Sequence, residues 1–129
     1  MEKILTVYGD GSTGKTTVIN EIYDELLKKG ATVVVARKKQ GANPNDFTGV
    51  LEYNHKTIAF LSMGDYRNIV DDYVLKFRKY DVFITALNRR FSCISTSWLK
   101  NSSVIYKFDK ISPDNVDNVN VKKSVISKI

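Results

Sequence analysis

Ile4, Leu5, Thr6, Val7 and Tyr8 make a short apolar and β-branched run that stops at Gly9, the form taken by a buried strand of a parallel sheet. Beyond Lys15 the period changes. Val18, Ile19, Ile22, Tyr23, Leu26 and Leu27 recur at the spacing of one helical face, with Glu21, Asp24, Glu25, Lys28 and Lys29 off it. Acids come early and lysines late, which suits the helix dipole, and Gly30 is a natural C-terminal stop. Thr32 to Ala36 predict a second buried strand, completing a β-α-β unit with a right-handed crossover. Residues 37 to 47 are rich in charge, Gly, Asn and Pro, so they read as a long surface loop.

Val50 to Tyr53 and Thr57 to Leu61 flank Asn54-His55, which predicts a β-hairpin whose second arm is buried. His55 is thus read as a turn residue rather than a catalyst. Ile69, Val70, Tyr73, Val74 and Phe77 mark one face of a second helix, and Asp81 to Leu87 another buried strand. A short helix is expected around Ser92 to Lys100, with Ile94 and Trp98 in the core, followed by a strand from Val104 to Phe108. After Pro113 the apolar positions fit neither period cleanly and lean towards a helix. This alternation predicts an α/β fold, a mostly parallel β-sheet with helices on both faces, in a single domain over residues 1–129.

Composition adds little to that picture. The 129 residues suffice for one core, and 43% hydrophobic with 26% charged residues is ordinary for a globular chain. No apolar run approaches the ~18 residues of a membrane span, and no basic-then-apolar leader precedes the first strand. The lone Cys93 has no internal disulfide partner and no Cys or His at zinc-ligand spacing. A cytoplasmic protein with no membrane association is expected. The net charge of +6 favours anionic partners, although the basic residues are spread along the chain.

Chemistry concentrates in Gly9-Asp10-Gly11-Ser12-Thr13-Gly14-Lys15-Thr16, which matches G-x-x-x-x-G-K-[ST] at every fixed position between a predicted strand and a predicted helix. Glycines at this spacing let successive N–H groups turn inward as an anion nest, and a helix N-terminus adds unpaired donors and a positive dipole end. Lys15 is expected to neutralise β and γ oxygens, and the Thr16 hydroxyl to ligate Mg²⁺. Thr17 offers a further hydroxyl and N–H to an α-phosphate.

The sequence resembles the P-loop NTPase superfamily, with residues 9 to 16 as its Walker A motif and the likeness running over residues 3 to 108. The stretch from Thr57 through Ser62-Met63-Gly64-Asp65 is also similar to small bacterial ATP-binding proteins of uncharacterised role. The resemblance implies a nucleoside triphosphate, with Mg²⁺, as ligand. It also implies a carboxylate near the metal. Asp65 is the first candidate, against an alternative role as a helix N-cap; Ser62 acting through water is a second, and Asp46 with Thr48 a third. Arg89 or Arg90, just past a buried strand, is expected to reach phosphate or base, against the alternative of a solvated loop. Lys15, Asp65 and Arg89 are the candidates for catalysis. Asn88 is followed by Arg89-Arg90-Phe91 with no aspartate, unlike the guanine motif of GTPases, which favours ATP over GTP.

These features support Mg²⁺-dependent ATP binding and hydrolysis, by an ATPase or ATP-driven switch. A nucleotide or small-metabolite kinase is one alternative, though little chain is left for an acceptor lid. The positive charge suggests another, a nucleic-acid or protein-binding module regulated by nucleotide.

Overall fold

The N-terminal apolar run forms strand β1 (Lys3–Gly9), buried continuously from Ile4 onward. The computed structural model describes residues 1–11, 13–64, 67–91 and 104–129. After β1 come helix α1 (Lys15–Lys28), strands β2 (Thr32–Lys39), β3 (Phe47–Tyr53) and β4 (Lys56–Leu61), and helix α2 (Arg67–Lys76). Strands β5 (Val82–Asn88) and β6 (Val104–Asp109) and helix α3 (Asn115–Ile126) follow. The helix expected over Ser92 to Lys100 falls outside the described residues.

All six strands form one sheet in the order β2-β3-β4-β5-β1-β6. Its right half is parallel, with β1 between β5 and β6 and β4 beside β5. Its left half is antiparallel, because β3 runs against both β2 and β4. The sheet is therefore mixed, which corrects the expectation of a mostly parallel one. The cause is local: Asn54 and His55 both take positive φ, 52° and 63°, and this tight turn folds β3 back along β4.

The hairpin also displaces β2. Instead of lying beside β1 in a β-α-β unit, β2 is the far edge of the sheet, with β3, β4 and β5 between them. It is exposed along its whole length, and Val33, Val34 and Val35 are 45–49% accessible, which corrects the expectation of a buried strand. A run of valines reads alike at the centre and the edge of a sheet, and only pairing distinguishes them. The long loop is corrected too. Lys38 and Lys39 pair with Thr48 and Phe47, so β2 takes in Arg37 to Lys39 and the loop shrinks to residues 40–46.

Side chains alternate across the sheet. Leu5 and Val7 of β1 meet Val18, Ile19, Ile22 and Leu26 of α1 and Val121 and Val125 of α3. Ile4 and Tyr8 point the other way, towards Val70 and Val74 of α2. Tyr23 of α1 sets its ring edge-on to Phe47 and Phe60, each at 5.2 Å, tying the helix to the hairpin. No helix among the described residues is long and apolar enough to cross a membrane.

Despite its mixed pairing, the sheet has one edge where chemistry collects. Strands β1, β4, β5 and β6 end there, and β3, running the other way, begins there. Register places Gly9 opposite Asn88, Tyr8 opposite Asp109, and Thr48 opposite Leu61.

Candidate functional site

Gly14 lies in the left-handed region, φ 85° and ψ 23°, and caps α1 without a side-chain bond. A residue with a Cβ would be strained there. The first turn of α1 carries no acid; Glu21, Asp24 and Glu25, expected early in the helix, run from its middle into its last turn, so the positive end of the dipole is left for an anion. Ahead of Gly14, the Thr13 hydroxyl and the Lys15 Nζ both donate to the Asp10 carbonyl, at 2.8 and 2.7 Å. Lys15 is thereby tucked in, only 7% exposed.

Thr16 opens the other side. Its hydroxyl lies 3.3 Å from Asp46 Oδ1 and 3.4 Å from the Ser62 carbonyl oxygen. Ser62, fully buried, holds the start of β3 by accepting the Phe47 N–H at 2.8 Å, and its hydroxyl lies 3.4 Å from Asp46 Oδ1 and from the Asn45 carbonyl. A cavity of about 270 Å³ opens over this cluster, lined by Gly14, Lys15, Thr16, Asn43, Asp46, Ser62 and Gly64. A cation, a helix N-terminus and a set of oxygen donors thus face one polar space. The donor set of hydroxyl, carboxylate and carbonyl oxygens suits Mg²⁺, which takes few protein ligands and keeps several waters. No cluster of three His, Cys, Asp or Glu able to hold a metal by itself occurs among the described residues.

On the opposite flank, Arg89 donates its backbone N–H to the Gly9 carbonyl at 2.8 Å. Its guanidinium lies 3.6 Å from the Asp10 carboxylate and 3.4 Å from that of Asp109, above the Tyr8 ring. Its side chain is 44% exposed, so both ion pairs are weak and can exchange. Asn88, buried at the end of β5, turns its amide Nδ2 towards Gly11, 3.8 Å from where a Cβ there would stand.

Behind the loop is a support that sequence reasoning missed. Lys110 follows β6, is fully buried, and donates its Nζ to Asp117 Oδ2 at 2.6 Å and to the Ser112 carbonyl. Asp117 also accepts the N–H groups of Ile111 and Ser112. The Lys110 ammonium foremost, and then these N–H groups, hold the Asp117 carboxyl below the usual carboxylate range. Asp114 caps α3 by accepting the Asp117 N–H at 3.0 Å, and that bond, with the Ser112 hydroxyl, holds its carboxyl low as well. Lys110 presents its own carbonyl to Gly9, and Pro113 and Asn118 back onto Gly14. Ser112-Pro113-Asp114, an N-cap signal, was the clue available in the sequence.

Of the expected phosphate ligands, Gly9, Asp10, Gly11, Thr13, Gly14, Lys15, Thr16 and Thr17 run from the end of β1 into the first turn of α1. Ser12 and Asp65 lie outside the described residues. Asp46, third among the expected acidic positions, is the carboxylate that the described structure brings to Thr16. Thr48 instead has its hydroxyl 3.1 Å from Gln40 Nε2. No family model matches this chain, and neither does any curated protein or solved structure.

Proposed function

We propose that the loop from Gly9 to Thr16 binds the triphosphate of ATP, with Mg²⁺, and that the protein hydrolyses it as an ATPase or ATP-driven switch in the cytoplasm. The observation that carries this reading is the junction at Gly14. A left-handed glycine caps a helix whose first residues, Lys15 and Thr16, face the polar cavity. In this reading Lys15 leaves the Asp10 carbonyl for phosphate oxygens, and the N–H groups of the loop and of α1 receive the rest of the chain of phosphates. Bound Mg²⁺ would offset charge on the phosphates, with Thr16 as one of its ligands. Arg89 stands beside the loop through exposed ion pairs that can exchange, so its guanidinium can swing towards transferring phosphate. The assignment to adenine rests on the missing aspartate after Asn88.

Equilibrium binding of a non-hydrolysable ATP analogue tests the reading. Charge-assisted hydrogen bonds contribute ~1.5–3 kcal/mol, so Lys15→Ala should weaken binding by about ten- to a hundredfold. Equal affinity in the two proteins, or no Mg²⁺-dependent affinity in the wild type, would overturn it.

A further inference from the structure

Asp46 stands in a turn ahead of an antiparallel strand, a different place from the acid expected after β4. It is 9% exposed, and its Oδ1 lies 3.3 Å from the Thr16 hydroxyl. Two neighbouring oxygens on an octahedral Mg²⁺, each at about 2.1 Å, stand roughly 3 Å apart. The Thr16–Asp46 spacing is within a few tenths of an ångström of that value, and it exceeds the ~2.7–2.8 Å usual for a hydroxyl donating to oxygen.

The hydrogen bonds around Asp46 show how a cation would be admitted. Two hydroxyls lie within reach of its Oδ1, those of Thr16 and Ser62. Each has a second acceptor at the same range: the Ser62 carbonyl oxygen for Thr16, at 3.4 Å, and the Asn45 carbonyl oxygen for Ser62, also at 3.4 Å. Turning both hydroxyl hydrogens to those carbonyls withdraws these two donors from Oδ1 and turns the Thr16 hydrogen away from it. Neither hydroxyl loses a bond in that exchange.

We propose that Asp46 is the carboxylate of the metal site, acting with Thr16, and that the turn at residues 40–46 thereby senses the metal-nucleotide complex. This rests on the reading of the Gly9 to Thr16 loop as a triphosphate site. The turn is well placed for it. Gln40 donates its N–H to the Asp46 carbonyl, Asp46 donates its own to Asn43, and Asn20 of α1 reaches the Asn45 carbonyl at 3.1 Å. A pull on Asp46 is therefore felt across the whole turn, up to the end of β2.

A sign reversal distinguishes a metal ligand from a structural residue. Without a cation, a carboxylate beside the triphosphate repels it; with one, the carboxylate contributes a ligand. Binding of the β,γ-imido analogue of ATP would be measured by calorimetry in EDTA and in Mg²⁺, for the wild type, Asp46→Asn and Asp65→Asn. The expected result is that Asp46→Asn binds no more weakly than wild type in EDTA but about tenfold more weakly in Mg²⁺, whereas Asp65→Asn keeps the Mg²⁺ gain. Retention of that gain by Asp46→Asn, or an equal loss in both media, would overturn the assignment while leaving the triphosphate reading intact. A wild type that binds nucleotide in neither medium would overturn both.

Discussion

Gly9 carries no side chain at a point where the backbone of Lys110 comes very close. A Cβ there would stand 2.4 Å from the Lys110 carbonyl oxygen and 3.0 Å from the Thr13 hydroxyl. The first neighbour is backbone and cannot turn aside, so Gly9→Ala must push β1 and β6 apart. A loss of ~1–3 kcal/mol is expected, the usual cost of overpacking, read from the shift in a urea unfolding midpoint. On the proposed reading of the loop, nucleotide binding should fall with it, because the same displacement moves the start of the loop. At this scale the placement of Lys15 and Thr16 at the start of α1, facing the polar cavity, was legible in the chain, since it follows from spacing within eight residues. Asp46 could not be singled out. Its nearness to Thr16 spans 30 positions and depends on how the β3–β4 hairpin folds.

Among the elements, α3 is the one whose sequence pattern was least decisive, and the structure shows why it forms. Val121 and Val125 pack it into the core, and its first turn adds polar anchors, where Asp114 caps the helix and Asp117 binds buried Lys110. Both carboxyls are held below their ordinary range. A depressed folded-state pKa stabilises above the unfolded value, ~3.9, and that contribution is lost as pH falls through the folded value. Hydrogen exchange in α3 should therefore be pH-insensitive, after correction for intrinsic rates, above about pH 5 and lose protection as the solution is acidified below about pH 4. Asp117→Asn should lower α3 protection at neutral pH and flatten that acid response; an unchanged profile would show that the Lys110–Asp117 pair does not hold the helix. Elements with strong periodicity needed no such help. α1, α2 and the hairpin appear where their patterns predict them, because each is specified by neighbours in sequence.

At the scale of the whole molecule, the sheet grades from a buried centre to an open edge. β1 and β5 are covered on both faces, while β2 is exposed throughout and its register is interrupted twice, between Val33 and Val35 and between Val35 and Lys38. Local opening costs least where few apolar contacts hold the strand. Amides of β2 should exchange well before those of β1 and β5 under native conditions, and uniform protection across the sheet would contradict this gradient. The irregular register and the basic end at Arg37 to Lys39 also blunt the edge against pairing with other chains. The chain by itself determined the junction of β1 with α1 at Gly14, the helix that follows it and the turn at Asn54-His55, because short-range spacing and backbone preference suffice for each. Tertiary structure alone decided that β2 lies at the edge instead of beside β1, that Lys110 and Asp117 support the loop from behind, and that Asp46 meets Thr16. Those outcomes depend on which strands pair, and pairing is set by competition among distant segments for the two sides of β1, a contest no local pattern records.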